Sequence, residues 1–268
     1  MNKDADPQTL LKKSDWKLVA FDLDDTLAPS KSPLPEPMAT ALRRLLDVGE
    51  VAVISGGALP QFRLQLLDNL GASADELSRL HLLPTCGTQY LRFDQGKLEE
   101  VYAHHLSKQQ RDEAIQVLAD AANELGLWEA APWGDIIEDR GSQITFSALG
   151  QKAPLDAKRA WDPTGEKKSS LVAKVAPLLP ELEVRGGGST SVDITAKGID
   201  KAYGMNALLG ITGYDKNQML FIGDRLDPGG NDYPVRAAGW PTFAVDSWQE
   251  TVVAVTQIAT AIDRDQSR

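Results

Sequence analysis

Cysteine is nearly absent: the 268 residues contain one, Cys86. An internal disulfide is therefore impossible, and a reducing, cytoplasmic setting is expected. With no evident His/Asp partner, that cysteine reads as a small packing residue. Histidine is almost as scarce. His81, His104 and His105 have no spacing that suits an imidazole-built metal site. No run approaches the roughly 18 apolar residues of a membrane span, and Met1 to Lys17 has no apolar signal core. Positive charge is in deficit. Against 38 Asp and Glu stand 28 Lys and Arg, a net charge of −10. That argues against nucleic acid or an anionic membrane as partner. It leaves open an anionic small substrate, because a metal and a few cationic side chains reverse the sign locally. Repeats and low-complexity tracts are also missing.

What remains is an ordinary globular composition, 42% hydrophobic and 25% charged, long enough for one large domain or two small ones. Met1 to Trp16 reads as a polar leader or a frayed helix. Leu18 to Phe21, Val51 to Ile54, His81 to Pro84, Met219 to Ile222 and Pro241 to Val245 read as short buried strands. Helical spacing separates them at Met38 to Val48, Pro60 to Leu70 and Lys201 to Leu209, and Ser247 to Ile262 closes the chain. Thr88 to Val101 reads as a hairpin. This alternation predicts an α/β fold with a doubly wound, Rossmann-like parallel sheet. The middle differs. A long helix at Ser107 to Leu125, strand pairs about Arg140-Gly141 and Gly186-Gly-Gly188, and a helix at Ser169 to Leu179 describe an α+β unit. The expected division is a core of residues 1–103 and 193–268 with an inserted domain of 104–192.

Chemistry concentrates at the ends of the apolar strands. The first stops in Asp22-Leu-Asp-Asp-Thr26, three carboxylates in four positions whose mutual repulsion a divalent cation would offset. The second stops in Ser55-Gly56-Gly57, where a hydroxyl and close backbone N–H groups form a small anion cradle. Met219 to Ile222 stops in Gly223-Asp224, with Asn231-Asp232 following. Lys201, at a helix start, is a point charge able to neutralise a phosphate oxygen. In a parallel sheet these ends face one way. Asp22 and Asp224 are hard oxygen ligands suited to Mg²⁺, and Asn231 and Asp232 can orient Lys201 or metal-bound water. Together the set describes a phosphoryl group. Asp25 reads as a turn residue, Asp227 as part of an exposed loop, Lys167-Lys168 as a solvated loop, and most of the six tryptophans as packing.

In order and spacing, Asp22-x-Asp24-x-Thr26, Ser55, Lys201 and Gly223-Asp224 with Asn231-Asp232 resemble the four motifs of the haloacid dehalogenase superfamily. The insertion resembles the C2-type cap of its Cof-like (IIB) branch. Gly223 to Tyr233, Ile137 to Gly141, Ser147 to Gly150 and Gly186 to Ile194 are similar to segments of the eukaryote-type phosphomannomutases. The resemblance implies a phosphorylated sugar as substrate. Asp22 is then the nucleophile and forms an aspartyl-phosphate. Asp24 is the acid/base, a role that needs its pKa raised while Asp22 stays ionised. Mg²⁺ is held by Asp22, the Asp24 carbonyl and Asp224. Thr26, Ser55, Gly56 and Lys201 meet the phosphate, and Arg140, Gln151 and Asp193 meet the substrate from the cap. By the same analogy the caps form a homodimer.

The resemblance departs in the cap. Arg140 matches one of the arginines those mutases use to grip the second phosphate. Gln151 stands where their strand ends in Ile-Gly-Arg, and Trp133 where another Arg precedes the first cap strand. Neither replacement carries charge. On those two positions the sequence favours a phosphatase of a phosphorylated sugar or polyol, with a phosphomannomutase-type phosphohexomutase as the alternative. A non-catalytic phospho-ligand module is the remote third reading, since every catalytic role has a candidate residue.

Overall fold

The computed structural model describes residues 7–266. Among them the strands are β1 (Leu18–Phe21), β2 (Glu50–Ile54), β3 (Leu80–Leu83), β4 (Gln89–Asp94), β5 (Lys97–Ala103), β6 (Ile137–Asp139), β7 (Gln143–Ser147), β8 (Leu182–Gly186), β9 (Ser191–Ala196), β10 (Met219–Gly223) and β11 (Thr242–Ala244). The chain divides into two compact units. One comprises the chain up to Tyr102 and from Asp200 onward; the other is Ala103–Ile199.

The first unit carries a seven-stranded sheet ordered β11-β10-β1-β2-β3-β4-β5. From β11 to β3 every pairing is parallel; β4 joins β3 antiparallel. Alternate strand residues point to opposite faces, and both faces are buried. Val19, Phe21, Val51, Val53, Leu220 and Ile222 share one apolar cluster with helices Glu36–Val48 and Trp248–Gln266. Leu18, Ala20, Ala52, Ile54, Met219 and Phe221 share the other, with Met205 and Leu208 of helix Lys201–Thr212. Burial on both sides is why these strands read as unbroken apolar runs. Helices on both faces make the doubly wound α/β fold expected from the sequence. In register, Phe21 stands between Ile222 and Val53. The carboxyl ends of β10, β1 and β2 thus lie side by side.

At the start of the described chain the leader is helical, and it packs against the core. Pro7–Lys12 is a helix, and Leu11 and Trp16 are buried in the first cluster. The Trp16 indole N–H donates to the Leu10 carbonyl at 2.9 Å, and the Lys13 ammonium lies 3.8 Å from the Trp16 ring centroid. Residues 1–6 of the expected leader lie outside the described residues.

The second unit is an antiparallel sheet ordered β6-β7-β9-β8. Ile144, Phe146, Val184, Val192 and Ile194 pack with Leu118 and Ala122 of helix Lys108–Glu124 and with Leu171 and Val175 of helix Glu166–Val175. A capping box of Ser107 and Gln110 starts the longer helix. On the alternate register positions, Glu138, Thr145, Asp193 and Arg185 form one cross-strand row.

Candidate active site

The site begins with the Lys201 side chain, which is 1% exposed. Its Nζ lies 2.7 Å from Asp22 Oδ1 and 2.6 Å from Asp232 Oδ1. Asp22 leaves the end of β1, where its N–H donates to the Ile222 carbonyl at 3.1 Å. Lys201 opens its helix behind Asp200, whose carboxylate accepts the Tyr203 N–H at 3.0 Å. That helix sits unusually close to the turn Thr85–Gly87: a Cβ on Gly87 would lie 2.7 Å from the Gly204 Cα. Gly87 has φ +91°, so only glycine suits both its backbone and this crossing. Asp232 is fully buried; its second oxygen accepts the Arg225 N–H at 3.0 Å. Gly223 leaves room for that carboxylate, since a Cβ there would come within 2.7 Å of Asp232 Cγ.

Asp22, Asp224 and Asp232 each offer an oxygen, and the three oxygens lie within 4.8 Å of one another. Burial pushes the Asp22 carboxyl well above the usual carboxylate range. The Lys201 charge pulls it down, and Asp232 and Asp224 push it up again. Asp224 is also raised, by burial and then by Asp232, against the pull of Lys201. Burial works against the Lys201 charge, but the two carboxylates outweigh it and hold the ammonium above the ordinary lysine range. A cluster that strains its own carboxylates in this way has the donor chemistry a hard divalent cation requires.

Several residues fall elsewhere than the sequence suggests. Thr26, expected on phosphate, is fully buried, and its hydroxyl donates to Asp224 Oδ1 at 3.1 Å. That bond orients the Asp224 carboxylate. Asp232, expected only to orient Lys201 or metal-bound water, also belongs to the carboxylate cluster. Asp24, expected on the metal through its carbonyl, turns its carboxylate elsewhere, where it accepts the Lys31 N–H at 2.6 Å and the amides of Gln61 and Gln65. Asn231, paired with Asp232 in the sequence reading, is exposed. Asp25 has φ 61° and accepts the Ser30 N–H at 3.1 Å, the behaviour of a turn residue. Asp227 pairs with the Arg225 guanidinium at 3.0 Å.

Ser55 follows β2 and is buried. Its hydroxyl accepts the Gly57 N–H at 3.1 Å, and its carbonyl accepts the Cys86 N–H at 2.9 Å. A Cβ on Gly56 would meet nothing within 4 Å. Gly56 is therefore not required by local packing, and its place beside Ser55 is the reason to include it. Cys86 sits in the tight turn at φ 57°, and His81 is buried between Glu50 and Tyr90.

Two residues were missed. Gln61 Nε2 donates to Asp24 Oδ2 at 2.8 Å, and Gln65 Nε2 donates to Asp24 Oδ1 at 3.1 Å. Their only sequence signal is a pair of polar residues four apart, shortly after the Gly56-Gly57 turn. The expected single helix is in fact an α-turn Leu59–Phe62, a π-helical Arg63–Leu67 and a last turn Asp68–Leu70.

In the second unit, Arg140 donates through Nε and Nη2 to Glu138 Oε2, at 2.9 and 2.6 Å. Asp193 Oδ1 accepts from Thr145 at 2.8 Å and from Gln143 at 3.0 Å. Gln151 donates to the Ser147 hydroxyl at 3.0 Å, and Trp133 is 46% exposed.

The family model for eukaryotic phosphomannomutase matches residues 38–261. The chain belongs to that family. Phosphomannomutase 1 of Homo sapiens is 23% identical over 237 residues, covering 84% of this chain and 85% of its own. The phosphomannomutase of Spinacia oleracea is 26% identical over 250 residues, covering 90% and 95%. Among solved structures, ATP-bound Plasmodium falciparum IMP-nucleotidase superimposes with a TM-score of 0.74 at 15% identity, over 95% of this chain and 63% of that one. Aspergillus fumigatus trehalose-6-phosphate phosphatase does so with a TM-score of 0.57 at 16% identity, over 95% and 98%. A haloacid dehalogenase-like hydrolase of Bacteroides thetaiotaomicron has a TM-score of 0.56 at 17% identity, over 93% and 99%. The fold is that of the haloacid dehalogenase superfamily, and the family is one of phosphotransfer enzymes.

Proposed function

We propose that the chain is a phosphohexomutase, moving a phosphoryl group between the 1- and 6-positions of a hexose through Asp22. One observation carries the chemistry: a buried Lys201 holds Asp22 at the end of β1, with Asp232 and Asp224 beside it. Membership of the family carries the choice of substrate and outcome, and it reverses the preference for a phosphatase drawn from the sequence.

In this reading Lys201 keeps Asp22 ionised and aims one oxygen, leaving the other to attack phosphorus. The Ser55 hydroxyl and the Gly56 backbone accommodate phosphate oxygens. Asp24 protonates the departing sugar oxygen and later takes the proton back from the incoming hydroxyl. Mg²⁺ would be held by the carboxylates of Asp22 and Asp224, with Asp232 alongside, and bound there it offsets negative charge on the transferring group. Arg140 and Asp193 belong to sugar recognition. A cytoplasmic setting and a homodimer through the second unit, by analogy with the family's mutases, complete the proposal.

A second reading, hydrolysis of a sugar phosphate, is favoured by uncharged Gln151 and Trp133 and by the engagement of Arg140 with Glu138. Phosphorus NMR separates the two. The protein is incubated with mannose 1-phosphate, Mg²⁺ and a trace of hexose bisphosphate. Mannose 6-phosphate supports the mutase, and inorganic phosphate alone supports the phosphatase. Asp22→Asn is expected to abolish both. Activity that survives in this variant would remove Asp22 as the nucleophile.

A further inference from the structure

Asp24 is held by more donors than a turn residue needs. Its Oδ1 accepts the Lys31 N–H and the Gln65 amide, and its Oδ2 accepts the Gln61 amide. The amides come from one short segment that leaves α-geometry. Across the π-helical turn the Gln65 carbonyl accepts the Leu34 N–H at 2.8 Å and the Asn69 amide at 3.2 Å. Gln65 is 3% exposed. Its Nε2 also donates to the Ser32 carbonyl at 3.1 Å, so two acceptors fix which way round the amide lies. Through its side chain and its carbonyl, Gln65 ties the proline-rich segment to Asp24.

Gln61 has its own accommodation. Its amide lies against Gly57, where a Cβ would collide with Oε1 and come within 2.7 Å of Cδ. The Gly57 φ is not in the left-handed region, so backbone freedom does not explain the glycine. Room for the Gln61 amide does. π-Turns of this kind occur disproportionately at functional sites; here Gln61, in the α-turn just before it, and Gln65, within it, reach a single carboxylate.

We infer that Gln61 and Gln65 are positioning residues that aim the Asp24 carboxylate at the ester oxygen leaving phosphorus. The inference rests on the proposed phosphoryl transfer and goes beyond it by assigning these two amides and Gly57. Neither glutamine touches the reacting atoms. A proton donor misplaced by about 1 Å can lose about 10²-fold in rate. Only a leaving group that needs a proton feels that loss.

The test compares two esters on one enzyme. Mannose 1-phosphate has a poor leaving group that must be protonated; 2,4-dinitrophenyl phosphate has one that leaves as the anion. Gln61→Met removes the donor at nearly constant shape. It is expected to lower kcat on mannose 1-phosphate by about 10–100-fold, with KM unchanged and less than about threefold loss on the aryl ester. Gln61→Lys, which restores an N–H donor of similar reach, should recover part of the lost rate. Thermal melting and circular dichroism of each variant separate loss of fold from loss of aim. Equal loss on the two esters in a folded Gln61→Met overturns the positioning role alone. A wild-type enzyme inert on both esters overturns the functional reading and this inference with it.

Discussion

Replacing Lys201 by Met tests the centre of the site most directly. The two side chains are similar in length and volume, so the change removes charge rather than packing. The ammonium is buried, 2.7 Å from Asp22 and 2.6 Å from Asp232, and both carboxylates are buried too. Removing one partner of a buried ion pair costs about 3–5 kcal/mol, because the remaining charge is left uncompensated. For a chain of this size that corresponds to a fall in Tm of about 6–20 °C. The sign of the pH dependence follows from Asp22. Its folded pKa already lies above its unfolded value, driven first by burial, and loss of Lys201 raises it further. A carboxylate shifted that way destabilises the fold above its raised pKa, and the penalty fades as pH falls through that value. Lys201 stays charged throughout, since its own pKa lies above the lysine range. The deficit of Lys201→Met relative to wild type should therefore be largest above that raised pKa and shrink as pH falls through it. Urea unfolding followed by tryptophan fluorescence measures it. Adding Asp22→Asn should return part of the lost stability, a coupling that a double-mutant cycle reads directly. A deficit below about 1 kcal/mol near neutral pH, or one that does not shrink on acidification, would refute the account.

Other perturbations give smaller, separate readouts. Mg²⁺ at about a hundred times its Kd should stabilise the protein by about 2.7 kcal/mol in a thermal-shift assay, and Asp224→Asn should abolish that shift. Gly87→Ala should cost about 1–3 kcal/mol by overpacking against the Gly204 Cα, 2.7 Å from the new Cβ. It should also lower kcat by displacing the helix that starts at Lys201. In the second unit, the Asp162 carboxylate accepts the N–H groups of Lys167 and Lys168 at 3.1 and 3.0 Å. Burial opposes its charge, but those bonds outweigh burial and lower its pKa. Asp162→Asn, which keeps an acceptor but removes the charge at this helix N-terminus, should cost about 0.3–1 kcal/mol at neutral pH. The difference should vanish below the lowered pKa, where the wild-type group is protonated as well.

The core was legible because burial on both faces of a parallel sheet leaves unbroken apolar runs. Leu18–Phe21, most of β2 and Met219–Ile222 of β10 are such runs, and the polar residue that ends each one marks the strand's carboxyl end. Asp22, Ser55 and Asp224 were found by that rule. The rule is silent about side-chain direction. The resemblance puts Thr26 on phosphate, and in the structure its hydroxyl goes to Asp224. Helical spacing makes Pro60 to Leu70 one helix, because periodicity at this length cannot separate an α-turn from a π-turn. No periodicity marks Gln65, whose buried amide nitrogen is held by Asp24 and the Ser32 carbonyl. Helix Leu155–Trp161 buries none of its residues, so no apolar stripe announces it.

The same reasoning explains why mutase and phosphatase readings share one core and part in the second unit. Capture of the phosphoryl group needs Asp22, Lys201 and an aimed Asp24, whatever accepts the group next. Its return to the sugar needs the sugar to stay bound through its other phosphate until the second transfer. A charge-assisted hydrogen bond to such a phosphate contributes about 1.5–3 kcal/mol, and losing one would shorten the sugar's residence by about 10–150-fold. Gln151 has no charge to offer at the position where the resemblance places an arginine, and its amide is engaged with Ser147. Arg140 already spends two of its N–H groups on Glu138. In the proposed mechanism each change would move the partition of the aspartyl-phosphate towards water without altering its formation. On that reading the ratio of mannose 6-phosphate to inorganic phosphate follows the number of charged contacts to the second phosphate, and one such contact would shift it by about 10–150-fold while the chemistry proposed at Asp22 stays the same.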